Sequence, residues 1–176
     1  MKSNGLQLEK EAILRAAGRI CVAARTAPKG KGTDTLVTMV LSGEDKEILA
    51  AEMQRIGEEK KISFFIRDAG NVRAAEAIVL VGTRNETRGI PNCGFCGFAD
   101  CAENEKNNGI CAFCTGDLGI AIGSAVSIAA DERIDNRVLF SAGKAALNLK
   151  LLGENVKIAY GLPLSSGGKS PFFDRA

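Results

Sequence analysis

The chain has 176 residues, 45% apolar and 25% charged, with a net charge of +2. That balance predicts one globular domain with a sizeable core and speaks against a nucleic acid or a membrane surface as partner. It has no histidine, no tryptophan and one tyrosine, which excludes His-ligated zinc or haem, a Ser-His-Asp triad, a Cys-His dyad and aromatic platforms for bases.

In chain order, the first expected element is a helix over residues 6–26. Ile13, Ala16, Ala17, Ile20, Cys21 and Ala24 recur at helical spacing, and Cys21 sits on that stripe as a small buried hydrophobe. Proline ends the helix before Ala27-Pro28. Residues 28–35, PKGKGTDT, form a basic glycine-rich loop. Arg25, Lys29 and Lys31 are candidate contacts for a phosphate or cofactor, and a solvated connection explains the same composition. No GxxxxGK[ST] is present, so the loop is not a P-loop.

Leu36 to Leu41 reads as a buried strand. Ser42, with Asp45 three residues on, reads as a helix cap. Residues 44–59 form an amphipathic helix through Ile48, Leu49, Met53 and Ile56, with Lys60 and Lys61 at its negative end. Ile62 to Ile66 reads as a short strand or the start of a turn. Ala77 to Thr83 is a second strand, and a polar stretch leads from it into a cysteine-rich loop.

Beyond that loop's first half, residues 102–108 read as a short exposed helix or loop. Its Glu103 and Glu105 offer a docking surface or simply a solvated face. Asp117 to Ala130 is apolar on nearly every side, a helix either buried or in a dimer interface, with Asp117 as a first-turn acid. Arg133 to Leu152 reads as a second long helix ended by Gly153. Val156 to Leu162 is a third strand. The tail from Pro163 is turn-rich, with Phe172 and Phe173 docking onto another surface. This alternation predicts an α+β (or α/β) fold, a single mixed domain over residues 1–176. No apolar run reaches membrane-spanning length and no signal peptide is visible at Met1–Gly5. The expectation is a cytoplasmic, reducing setting.

Five of the six cysteines fall between Asn92 and Asp117, inside a metal-binding loop over residues 88–117. Two metal chemistries fit the spacing. An iron–sulfur cluster needs four thiolates, several on one tight loop. Cys93, Cys96 and Cys101 supply three, Cys111 returns as the fourth, and Gly94 and Gly97 let the backbone approach the sulfides. The alternative is a closed four-thiolate zinc site from the pairs Cys93-x-x-Cys96 and Cys111-x-x-Cys114. The first reading leaves Cys114 over, the second Cys101.

CGFCGFADC resembles the CGxCGxxxC signature of four-iron ferredoxin-type domains. With GICAFCTGDLGIAIGSAV it resembles more closely a prokaryotic family described only as containing a ferredoxin domain (domain of unknown function 2148). That resemblance implies a [4Fe–4S] cluster on Cys93, Cys96, Cys101 and Cys111. A cluster held there would carry electron transfer, with a redox partner protein or a small-molecule electron donor or acceptor.

The layout of AARTAPKGKGTDTLVTMVLSGEDKEILAAEM and of VKIAYGLP is similar to the flavin-dependent nitroreductase fold. That likeness implies an intertwined homodimer binding FMN. The family's Arg-Ser-x-Arg phosphate anchor is absent, and Gly30 to Asp34 replaces its Asn-x-Gln-Pro-Trp segment.

Overall fold

Strand β2 (Ala77–Arg84) is the centre of the molecule, and all of it but Arg84 is buried. A strand covered on both faces needs an unbroken apolar run, and AIVLVGT supplies one. It pairs antiparallel with β1 (Leu36–Ser42) on one side and with β4 (Val156–Ser165) on the other. A short edge strand, β3 (Asp135–Asn136), completes the sheet in the order β1-β2-β4-β3. The computed structural model describes residues 2–173.

The period of two along β2 sorts its side chains onto two faces. Ala77, Val79 and Val81 face α1 (Gly5–Thr26) and α5 (Ala112–Asp131). Ile78 and Leu80 face α2 (Gly43–Lys60), α3 (Ser63–Ala74) and α6 (Phe140–Asn148). The result is a mixed α+β fold with helices on both faces of an antiparallel sheet. A six-residue helix, α4 (Cys101–Lys106), lies within the cysteine-rich loop.

Helices α1 and α2 and strands β1, β2 and β4 lie where periodicity places them, with no end displaced by more than three residues. Four readings need correction. Ile62 to Ile66 is neither strand nor turn. Ser63 to Ile66 opens α3, whose core stripe Phe65, Ala69 and Val72 is interrupted by the buried Asp68. Asp68 is tolerated there because Ser141 donates to it at 2.6 Å and Arg67 pairs with it at 2.7 Å.

The expected long helix over 133–152 is broken. Arg133 takes a left-handed φ of 58°, Asp135 and Asn136 join the sheet edge beside β4, and only Phe140 to Asn148 is helical. Gly153 therefore closes a later turn rather than a helix. Ser42 occupies the N-cap position of α2 but its side chain makes no cap hydrogen bond. Finally, α5 is long and apolar enough, by length and composition, to cross a membrane, although no such run was expected. It lays Leu118, Ala121, Ala125 and Ala129 against α1 and the sheet.

Strand β4 continues through Pro163 to Ser165, so the tail starts later than expected. Phe172 is buried, Arg137 donates to its carbonyl at 2.8 Å, and the Arg137 guanidinium lies 5.0 Å from the centre of the Phe173 ring. Both rings thus dock on this chain. The reading of the tail as turn-rich runs on into residues 174–176, which lie outside the described residues.

Candidate metal centre

Beyond Arg84 the chain leaves the sheet and turns through residues 85–100 without regular structure. Asn92, Gly94 and Gly97 take positive φ of 53°, 62° and 84°, and the Gly97 N–H donates to the Gly94 carbonyl at 2.9 Å. Glycine suits these two positions because a Cβ disfavours left-handed backbone. The loop ends at Asp100, which caps α4 by accepting from Glu103 N–H at 2.8 Å, while the Glu103 carboxylate accepts from Ala99 N–H at 2.7 Å. Glu103 is therefore a capping residue. Glu105 accepts from the Thr87 hydroxyl.

The return strand of the loop is held by Asn85. Its amide donates to the Gly109 carbonyl at 2.7 Å and its carbonyl accepts from Cys111 N–H at 3.0 Å. Cys111 is then the N-cap of the twenty-residue α5, at the positive end of that helix.

These constraints bring Cys93, Cys96, Cys101 and Cys111 onto the wall of one cavity of about 80 Å³. Cys111 is buried and the other three are half-buried. Cys114 does not line the cavity. It is fully buried, and its Sγ donates to the Glu86 carbonyl at 3.2 Å. Burial, with a smaller contribution from the neighbouring Cys111, pushes its thiol above the ordinary value, against the opposing pull of that hydrogen bond and of Arg88. Among the described residues no three Cys, Asp or Glu side chains stand together as donors for one metal ion.

Behind the cavity lies a buried polar network. Arg88 Nη2 donates to Asp117 Oδ2 at 3.0 Å and to Thr35 Oγ1 at 3.1 Å, and Nη1 donates to the Glu86 carbonyl at 2.8 Å. Thr83 donates to the Arg84 carbonyl, so Thr35 donates to Thr83 in turn, at 2.8 Å. Asp117 Oδ1 accepts from Gly30 N–H at 3.0 Å. Burial works to lower the Arg88 pKa, but the Asp117 hydrogen bond and the charges of Cys114, Asp117 and Cys111 outweigh it and raise it.

Sequence reasoning missed Arg88 altogether. The only signal was an arginine at the first position of the metal-binding loop. Asp117 was expected as a first-turn acid. It lies in the second turn of α5, buried, because that helix starts five residues earlier than expected.

Arg25 and Lys29 are engaged by the chain itself. Arg25 donates to the Leu36 carbonyl at 2.7 Å and to Asp34 at 2.6 Å. Lys29 donates to the carbonyls of Arg25 and Ala27, the latter at 2.8 Å, at the end of α1. Lys31 is exposed, takes a left-handed φ of 55°, and has no ion-pair partner among the described residues.

Burial works to raise the Asp34 carboxyl. The hydrogen bonds from Arg25 and Leu36 and the charges of Arg25 and Lys29 outweigh it and hold the group below its ordinary 3.8. Its contribution is present above pH 3.8 and is lost as pH falls through the lower folded value. Melting temperatures of the native chain and of Asp34→Asn should thus differ at neutral pH and converge in acid below 3.8. A gap that stays constant down the acid limb would contradict this.

Beside the cysteine cavity runs an open groove lined by Pro28, Lys29, Gly30, Phe95, Phe113 and Ile120. Phe95 is 76% exposed and stacks on Phe113, with centroids 5.9 Å apart and planes 8° from parallel. Phe113 and Ala112 line both the groove and the cavity.

Residues 107–175 match a family model described as "Uncharacterized protein containing a ferredoxin domain (DUF2148)". An uncharacterised protein of Archaeoglobus fulgidus is 41% identical over 184 residues, covering 100% of this chain and 98% of the relative. Among solved structures, the nitroreductase CinD of Lactococcus lactis in complex with nicotinic acid is similar with a TM-score of 0.62 at 16% identity, covering 90% of this chain and 79% of CinD. The FMN-dependent nitroreductase NfnB of Mycobacterium smegmatis, in complex with NADPH, is similar with a TM-score of 0.61 at 15% identity, covering 94% and 84%. At such identities the likeness shows a shared fold.

Proposed function

The chain belongs to the family of uncharacterised proteins containing a ferredoxin domain, and on that premise we propose that it is an electron-transfer protein carrying one [4Fe–4S] cluster on Cys93, Cys96, Cys101 and Cys111. The observation that carries this reading is the convergence of those four thiols on one cavity, with Cys114 turned away into the protein.

The donor set supports a cluster over a single zinc ion. The four-thiolate zinc site needs Cys114 and leaves Cys101 over, whereas Cys101 lines the cavity and the Cys114 sulfur is bonded to the Glu86 carbonyl off its wall. A cluster so held supplies one-electron transfer. The chain's own groups do the rest. The loop through Gly94 and Gly97 wraps the cavity, Asn85 fixes Cys111, the α5 N-terminus favours negative charge beside it, and Phe113 limits water on one side.

The groove at Pro28 to Gly30 supports a second component. Its wall is shared with the cavity, and a structural neighbour is FMN-dependent. A flavin, or another small-molecule electron donor or acceptor, would exchange electrons there. Of the three basic residues, Lys29 lines the groove while bonded to the end of α1, Arg25 shapes the loop, and Lys31 is exposed next to the groove without lining it. A redox partner protein would meet the exposed Phe95 edge. The outward face of α5, Gly116, Gly119, Ile120 and Gly123, would seat a second subunit, in keeping with a homodimer, and the setting would be the reducing cytoplasm.

Anaerobic purification followed by an absorption spectrum and joint assay of iron, sulfide, zinc and flavin tests the proposal. A brown protein with about four irons and four sulfides per chain is the expected result. A colourless protein with one zinc would replace the electron-transfer reading by that of a zinc-stabilised interaction module.

A further inference from the structure

Arg88 is 4% exposed and lines the same cavity as Cys93, Cys96, Cys101 and Cys111. Its Nη atoms are satisfied by Glu86, Thr35 and Asp117. Its Nε is equally buried and has no hydrogen-bond partner among the described residues. A guanidinium edge left bare in a dry site is costly unless something negative occupies the space beside it. Asp117 is shared between Arg88 and the Gly30 amide, so it balances the positive charge only in part.

We propose that Arg88 is the charge-compensating and positioning residue of this centre: its guanidinium sets the reduction potential of the cysteine-held cluster, and Asp117 sets how much of that charge the cluster feels. The inference rests on the cluster reading above. Reduction adds one electron, supplied from outside by a one-electron donor, and breaks no bond in the protein. The added negative charge is stabilised by a fixed positive charge in a low-dielectric site and opposed by a fixed negative one. The two residues therefore act with opposite sign. Thr35 and Glu86 keep the guanidinium from following the electron, so its effect is the same before and after transfer.

The test is a mediated redox titration of the anaerobically purified full chain with dithionite, read by absorption and electron paramagnetic resonance. Arg88→Gln is expected to lower the reduced-to-oxidised ratio at a fixed potential at least tenfold, a shift of about 59 mV for one electron. Arg88→Lys, which keeps the charge, stays near the native ratio. Asp117→Asn raises the ratio. A role confined to holding the loop in place would not move the two neutral variants in opposite directions.

Should Arg88→Gln fail to fold or to keep its iron, Asp117→Asn retains Arg88 and carries the sign alone. An unchanged or lowered ratio in that variant overturns the inference. A native chain that holds no iron and sulfide overturns the cluster reading and this inference with it. A full cluster whose potential ignores both residues overturns only the role given to Arg88.

Discussion

If the chain carries the proposed cluster, serine at Cys111 should strip it, and alanine at Cys114 should leave it in place. The two sulfurs are three residues apart on one helix turn, and both are buried. Only Cys111 reaches the cavity, from the N-cap of α5. Changes to residues that merely support a ligand cost about 10–100-fold in metal affinity, so loss of a ligand at this position should exceed that and leave little iron after gel filtration.

Cys114→Ala deletes a buried sulfur and its hydrogen bond to Glu86. That should lower stability by about 1–2 kcal/mol while iron and sulfide per chain stay at the native level. Iron and sulfide assays on Cys101→Ser, Cys111→Ser and Cys114→Ala, prepared side by side without air, decide the ligand set. Metal lost with Cys114 and kept without Cys101 would establish the four-cysteine zinc arrangement instead.

The largest effect on the fold itself is expected from Gly143→Ala in α6. A Cβ there would lie 1.8 Å from the Ala159 carbonyl oxygen, 2.3 Å from its carbon and 2.7 Å from Tyr160 N. These are backbone atoms of β4, so no rotamer change relieves the clash. The helix is also tied to that strand just upstream, where Leu139 N–H donates to the Gly161 carbonyl at 2.8 Å and accepts in return at 3.0 Å. The methyl must lift α6 off the sheet. Overpacking costs about 1–3 kcal/mol in ordinary cores, and a rigid backbone neighbour puts this case at or above the upper end. The melting temperature should fall by about 6–12 °C. Gly18→Ala is the control. It is helical, exposed and has nothing within 4 Å of the added carbon, so it should stabilise by about 0.4–1 kcal/mol. Equal melting temperatures for the two variants would mean that α6 does not rest on β4 as described.

Much of the scaffold was legible along the chain because its signals are local. The stripe Ile13, Ala17, Ile20 and Ala24 has helical period whatever it packs on, and AIVLVGT has the density of a strand buried on both sides. The cysteine spacing likewise raises the expectation of metal chemistry before any fold is known. The misread segments are those where a distant partner overrides the local pattern. Asp68 looks foreign to a core stripe until Ser141, 73 residues away, is placed beside it. Residues 133–152 look like one amphipathic helix until β4 recruits Asp135 and Asn136 as an edge strand.

The sequence by itself determined that this is a mixed helix-and-strand chain, α+β or α/β, built around a cysteine-rich loop, since apolar period, proline and glycine positions and thiol spacing all act within a few residues. Only the tertiary structure decided which four cysteines share a cavity and that a buried Arg88–Asp117 pair stands behind them. Those choices depend on which way each side chain faces once α5, the 28–35 loop and the end of β2 are brought together. Charges separated by 29 residues meet there because a buried charge must be paired, and each finds its ion-pair partner in the other.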